Sequence, residues 1–175
     1  IEQNGNFLPR NENSYGPDIV SDYAVEFIKR NKDNPFFIYY PMLLVHDPFV
    51  PTPDSPEWSS LDTRSTPDTK YFIDMVNYMD KIVGKIINEL KQQGIFENTL
   101  LIFVGDNGTP RQITSNTINE IIPGGKGLTN KTGVNVPMVV SWPSKIKNNS
   151  TNSDLITFAD FYSTFSDILG VPDES

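Results

Sequence analysis

The stretch Thr99-Leu100-Leu101-Ile102-Phe103-Val104-Gly105-Asp106-Asn107-Gly108 constrains the fold of this chain more than any other. Five consecutive apolar residues, Leu100 to Val104, run into a polar Asp-Asn pair set between glycines. A short apolar run bounded by turn residues predicts a strand buried on both faces, as in a parallel sheet. The flanking glycines let the backbone turn sharply where that strand ends. The carboxylate of Asp106 and the amide oxygen of Asn107 then sit at the carboxyl edge of a sheet, where open α/β folds bind their ligands. Two adjacent oxygen side chains suit a hard divalent cation. Taken alone, Asp-Asn-Gly is better explained as a turn that closes a strand, since these are the commonest turn residues.

The segments around this strand alternate in character. Residues 1–16 are polar and rich in Asn, Gly and Pro, which reads as a loop or a flexible N-terminal segment. Pro17-Asp18 opens a helix whose apolar residues, Ile19, Val20, Tyr23, Ala24, Phe27 and Ile28, recur with helical periodicity. Phe36 to Tyr40 is an apolar, aromatic run and predicts a strand stopped by Pro41. A long helix follows, with Thr66 as N-cap, Pro67 at its first position and Gly94 as its stop. Thr109 to Ile122 reads as a polar loop, and Met138 to Trp142 predicts a third strand. Asp160 looks like the N-cap of a last helix, ended by Gly170 and Pro172. Helices alternating with strands point to a layered α/β domain, with a mostly parallel sheet flanked by helices.

Three polar features fall at or between the strand ends. His46, the sole histidine, follows the Phe36–Tyr40 run as Asp106 follows the central strand. Lys126 lies within Pro123-Gly124-Gly125-Lys126-Gly127, where three glycines let the backbone pass close to a ligand while an ammonium points at an anion. The spacing is not that of a P-loop, and no Ser or Thr follows the lysine. Each feature alone has a plainer explanation: a structural histidine, a surface loop, a turn. Together they suit an anionic ester held on a metal, with the cation polarising ester oxygens and His46 and Lys126 binding the anion and its leaving oxygen.

Composition narrows the partners. A net charge of -8 across 175 residues, with no basic stripe, argues against nucleic acid as a partner. No run has the length of a transmembrane helix, which points to no membrane partner, and no signal-peptide pattern opens the chain. The absence of cysteine excludes disulfides, zinc-thiolate sites and cysteine nucleophiles within this sequence. Asn130-Lys131-Thr132 and the Asn148 and Asn149 sites fit the glycosylation pattern, a weak signal in so Asn-rich a chain.

Read in order, these residues resemble a sulfatase of the arylsulfatase branch of the alkaline-phosphatase-like superfamily, continuously from about Asp22 to Pro172. Asn34-Pro35-Phe36-Phe37-Ile38-Tyr39-Tyr40 resembles the strand before the substrate histidine, and His46-Asp47-Pro48 the His-x-Pro that carries it. Tyr78-Met79-Asp80-Lys81-Ile82-Val83-Gly84 resembles the helix before the metal strand. Gly105-Asp106-Asn107-Gly108 resembles the metal-ligand turn, usually Ser-Asp-Asn-Gly, and Gly124-Gly125-Lys126-Gly127 the loop of the sulfate-binding lysine. Val136-Pro137 with Trp142-Pro143, and Asp160-Phe161-Tyr162 through Leu169-Gly170, resemble the closing strand and helix.

The resemblance implies that Asp106 and Asn107 are calcium ligands and that His46 and Lys126 contact the sulfate or its leaving oxygen. Lys131-Thr132-Gly133-Val134-Asn135 departs from the family's frequent Glu-Gly-Gly-x-Arg, which concerns the packing of that loop more than Lys126. The family's nucleophile, a formylglycine made within Cys/Ser-x-Pro/Ala-x-Arg, has no counterpart here, nor do the paired N-terminal aspartates of the metal site. The C-terminal subdomain would begin after Pro172. The expectation is therefore a single partial catalytic domain, an incomplete alkaline-phosphatase-like fold. On its own it would bind Ca2+ weakly or not at all and would not hydrolyse sulfate esters. The resemblance further implies a sulfated small molecule or glycan as partner, a periplasmic or secreted full-length protein, and self-association through exposed sheet edges. Two alternatives stand beside it: a phosphoester or phosphonate hydrolase of the same superfamily, and a non-catalytic domain that binds an anion or a partner.

Overall fold

Two helices and the residues between them build the core. The computed structural model describes residues 1–9 and 12–171. Helix α1, Gly16–Asn31, starts with Pro17 in its first turn and buries Ser21, Ala24, Val25 and Ile28 along one face. Helix α3, Phe72–Gln92, packs against it with Met75, Tyr78, Ile82, Glu89 and Leu90 buried. Those spacings of three, four and seven are what a 3.6-residue period requires. Polar side chains tie the two helices together. The Tyr78 hydroxyl donates to the Asp18 carboxylate at 2.8 Å to each oxygen, and Lys85 pairs with Asp22 and donates to Ser21 Oγ at 3.1 Å. Burial, then the Asp18 charge, raises the Tyr78 hydroxyl pKa well above its ordinary value.

Between these helices lies the short helix α2, Leu61–Arg64, in the loop that follows His46. One hydrophobic cluster joins α3 to that loop and to the later chain: Leu44, Phe49, Tyr71, Met75, Tyr78, Ile82 and Ile113.

The strands form three two-stranded ladders among the described residues. β1 (Glu2–Gln3) and β2 (Asn6–Phe7) make a hairpin where the sequence reads as loop. Its turn is Asn4-Gly5, with φ of 52° and 79°, the pairing that a tight hairpin demands. β3 (Leu101–Val104) is the expected central strand, and it pairs with β6 (Met138–Ser141), Leu101 facing Ser141 and Val104 facing Met138. β4 (Thr114–Asn116) and β5 (Ile121–Pro123) form a hairpin inside the segment expected to be irregular.

The layered α/β arrangement holds, but several details of the expectation do not. The ladders are antiparallel, not parallel: β1–β2 and β4–β5 are hairpins joined by short turns, and β6 runs back along β3. β3 is half-buried along its length instead of buried on both faces. Residues 36–40 are not in a ladder, though they alternate between half-buried and exposed as a strand would, leaving Phe37 and Tyr39 in solvent. α3 starts later than Thr66-Pro67 implies. Asp68 accepts a hydrogen bond from Lys70 N at 2.9 Å and caps a 3-10 turn, Thr69–Tyr71, that leads into it.

The short helix α4, Lys131–Val134, and the final helix α5, Asp160–Leu169, complete the chain. Asp160 opens α5 from its first turn, its carboxylate accepting from Thr157 N at 2.6 Å. Gly170, at φ 65°, ends it in a Schellman turn, with Val171 N donating to Ser166 O and Gly170 N to Asp167 O. Pro172, expected to stop this helix, lies outside the described residues.

Candidate active site

The site is a backbone frame before it is a set of side chains. At the end of β3, Gly105 N donates to Pro137 O at 3.0 Å, which carries the β3–β6 ladder into the Asp106-Asn107 turn. Gly108 N then donates to Gly133 O of α4 at 2.9 Å. The next residue, Thr109, accepts from both Gly125 N (2.9 Å) and Lys126 N (3.0 Å), and Gly124 N donates to Ile113 O at 2.8 Å. Three hydrogen bonds thus clamp residues 109–113 to the loop that carries Lys126, and the nearest clamped residue, Thr109, is two positions beyond Asn107.

Only glycine permits this approach. A Cβ on Gly124 would lie 2.0 Å from Pro110 O, and one on Gly108 would lie 2.1 Å from Thr132 O, both far inside contact distance. Four of the glycines that frame the site, Gly108, Gly124, Gly125 and Gly133, would meet backbone atoms under 3.0 Å in this way. The glycine run read as letting the backbone approach a ligand instead lets two loops and α4 approach one another.

Asp106 and Asn107 are exposed and Lys126 is half-buried. None of their side chains has a hydrogen-bond or ion-pair partner among the described residues. Asp106 and Asn107 offer adjacent oxygens of the chemical type that calcium takes, though the ion uses about six to eight. No three His, Asp or Glu side chains gather as a metal site among the described residues. The pair therefore fits part of a calcium shell.

His46 reaches the frame through the core. Its neighbours Leu44 and Phe49 belong to the cluster that holds Ile113, the residue whose carbonyl accepts from Gly124. His46 is exposed and lies between two cis peptide bonds, Leu44–Val45 and Asp47–Pro48. Its Nδ1 stands 2.7 Å from Asp47 O and 3.0 Å from Asp47 Oδ1. Two acceptors at Nδ1 require the proton there, so Nε2 is the nitrogen left to exchange one.

The frame also contains a residue that the motifs do not reveal. Arg111, in the clamped 109–113 segment, donates from Nε to Lys126 O at 3.2 Å. The sequence signal is only that Arg111 is the sole basic residue between Asp106 and Lys126.

The sulfatase family model matches residues 2–171. The chain belongs to the sulfatase family. It is 35% identical over 169 residues to a sulfatase of Formosa agariphila, covering 87% of this chain and 30% of that protein. It is 31% identical over 165 residues to the N-acetylgalactosamine-6-O-sulfatase of Bacteroides thetaiotaomicron, covering 89% of this chain and 30% of that protein. Among solved structures, that of Ps i-CgsB superposes with a TM-score of 0.81 at 30% identity, over 99% of this chain and 38% of the other. The chain thus spans about a third of the length of its sulfatase relatives, and its shape is that of an incomplete sulfatase fold.

Proposed function

We propose that this chain is the part of a sulfatase catalytic domain that supplies one half of a calcium shell and the cations that hold the ester's sulfate, the whole enzyme hydrolysing sulfuric esters. The observation that carries the reading is the double hydrogen bond from Gly125 and Lys126 to Thr109. It ties the backbone of the anion-binding lysine to the segment just after Asp106 and Asn107, which supports the two contributions acting on one ligand. Asp106 and Asn107 would hold calcium, whose chemistry is to polarise a sulfate oxygen and stabilise charge on it. Lys126, a flexible point charge, binds the sulfate oxygens. His46 Nε2, with Nδ1 occupied by Asp47, handles the proton at the leaving oxygen.

The nucleophile and the remaining calcium ligands come from outside the 175 residues in this reading, because no Cys/Ser-x-Pro/Ala-x-Arg segment occurs in them. A sulfated glycan is the substrate class best supported. A relative is an N-acetylgalactosamine-6-O-sulfatase, and Ps i-CgsB has been solved with k-i-k-neocarrahexaose. Family resemblance favours a periplasmic or secreted enzyme, and no helix among the described residues is long and apolar enough to cross a membrane.

The test compares this chain with a protein extended upstream to include the nucleophile segment, using 4-nitrophenyl sulfate and calcium. Activity is expected in the extended protein alone. His46→Ala or Lys126→Ala should lower kcat at least about 100-fold, the ordinary scale for losing one acid-base or electrostatic partner. Activity in the short chain would mean another nucleophile and a wrong mechanism. An inactive extended protein would leave an anion-binding module as the better reading.

A further inference from the structure

The loop pair that holds Lys126 carries a second cation for which the sulfatase reading has no use. Arg111 is exposed, and its Nε donates to the Lys126 carbonyl, which fixes the guanidinium beside the lysine's own backbone. It forms no ion pair with any carboxylate among the described residues. The segment that presents it is clamped at both ends, by Thr109 O to Gly125 and Lys126 and by Ile113 O to Gly124. The guanidinium lies over the lysine's neighbour Gly127, with Nη2 3.8 Å from where a Cβ on that glycine would stand.

The local charge agrees. From Gly105 to Asn135 there are three bases and two acids, in a chain whose net charge is -8. An arginine without a carboxylate partner, bonded through Nε in such a place, presents the remaining fork of a planar donor set, the geometry that suits sulfate or carboxylate. Structural need does not explain it, because the clamp is made by main-chain hydrogen bonds and a single Nε–H would be replaceable by water.

We propose that Arg111 binds a second anionic group of the substrate, a sulfate or carboxylate next to the sulfate held by Lys126, and so selects multiply charged saccharides over singly sulfated ones. This rests on the sulfatase reading above and adds a specificity residue to it. Arg111 touches the neighbouring anion and not the reacting ester, so its signature is a preference between ligands.

The experiment uses the extended, active protein and follows 4-nitrophenyl sulfate hydrolysis in the presence of two inhibitors, a disulfated (ι-type) and a monosulfated (κ-type) neocarrabiose. The quantity read is the ratio of their inhibition constants, measured within each variant so that differences in folding cancel. The wild type should bind the disulfated sugar more tightly. Arg111→Gln should shrink that preference at least about tenfold, and Arg111→Lys, which keeps the charge without the fork, should fall between. Added salt should narrow the wild-type preference more than the preference of Arg111→Gln. A wild type without the preference, or a ratio that survives Arg111→Gln, overturns the proposal and leaves the sulfatase reading standing. A wild type with no hydrolysis overturns the sulfatase reading, and this proposal falls with it.

Discussion

The two sides of this molecule share one chain and differ in how much they bury. On the helical side, α1 and α3 place Ile28 and Ile82 at 1% exposure, and a single cluster extends from Ile82 to Leu44, Phe49 and Ile113. On the strand side, α5 has the apolar stripe of an amphipathic helix and not one buried residue. Its ring contact with a distant segment is Phe165 against Phe37, 6.3 Å between ring centroids, while Leu169 stays 74% exposed. On β6's flank, Trp142 Nε1 is buried without a hydrogen-bond partner in the described residues, which is costly, as is Tyr40 Oη at the edge of the helical cluster. Yet 99% of the chain superposes on Ps i-CgsB, so the strand side keeps the family's shape without closing its own apolar faces. Amphipathic pattern specifies an element; burial needs a partner surface. The site frame stands at the border, its turn on the strand side and its anchor, Ile113, in the helical core.

The sharpest way to break this comparison is to truncate one apolar residue on each side. Ile82→Ala should cost about 2–5 kcal/mol, the range for a fully buried aliphatic side chain. Leu169→Ala should stay within about 0.5 kcal/mol in the isolated chain, as for surface changes. Urea denaturation midpoints decide it, and equal losses would mean that α5 is packed after all. A chain with this much exposed apolar surface, including Tyr39 at 80%, should also self-associate, and light scattering that shows a monomer at high concentration would oppose that.

Gly124→Ala comes next. Its Cβ would collide with the Pro110 carbonyl, so about 1–3 kcal/mol should be lost if the clamp is as tight as it stands. A neutral effect on the denaturation midpoint would show that the loop is free to shift. Such a result would also separate Lys126 from Asp106 and Asn107.

Tyr78→Phe sharpens the helical side. It removes a hydroxyl that donates to both Asp18 oxygens, worth about 1.5–3 kcal/mol as a hydrogen bond to a charged group. The pH dependence follows from the raised pKa of Tyr78, and of Tyr15 beside it, above their ordinary 10.0. A group whose folded pKa is raised holds its full stabilisation below the unfolded value and loses it as pH climbs toward the folded one. Stability should therefore fall above about pH 10, and fall less steeply in Tyr78→Phe. Denaturation midpoints from pH 8 to 11 test this, and parallel curves for the two proteins would contradict it.

These contrasts also explain what the sequence discloses. Both long helices are legible because their buried faces, Ala24-Val25-Ile28 and Met75-Tyr78-Ile82, repeat at helical spacing against a partner within the chain. The start of α3 is misplaced by the Thr66-Pro67 signal, since Asp68 caps a preceding 3-10 turn that periodicity does not show. The β1–β2 hairpin hides because strands of two residues have no alternation, although Asn4-Gly5 is a hairpin dipeptide. Phe36 to Tyr40 has the composition of a strand, and composition cannot supply the neighbours that would make it one. Asp106, Asn107, His46 and Lys126 are readable as a set because they fall at or between the ends of apolar runs, and the resemblance then gives each its role. The clamp that joins two of those places depends on where a Cβ cannot fit, and Arg111 depends on the clamp.

Amide hydrogen exchange on the 175-residue chain tests the central claim most directly, because it reads the clamp where it lies. The account predicts that the Gly108, Gly124, Gly125 and Lys126 amides are protected to a degree approaching that of α3, while those of α5 exchange rapidly. Exchange at Gly125 and Lys126 as fast as in α5 would contradict it. The lysine and the metal-ligand turn would then be two loose loops and not one frame.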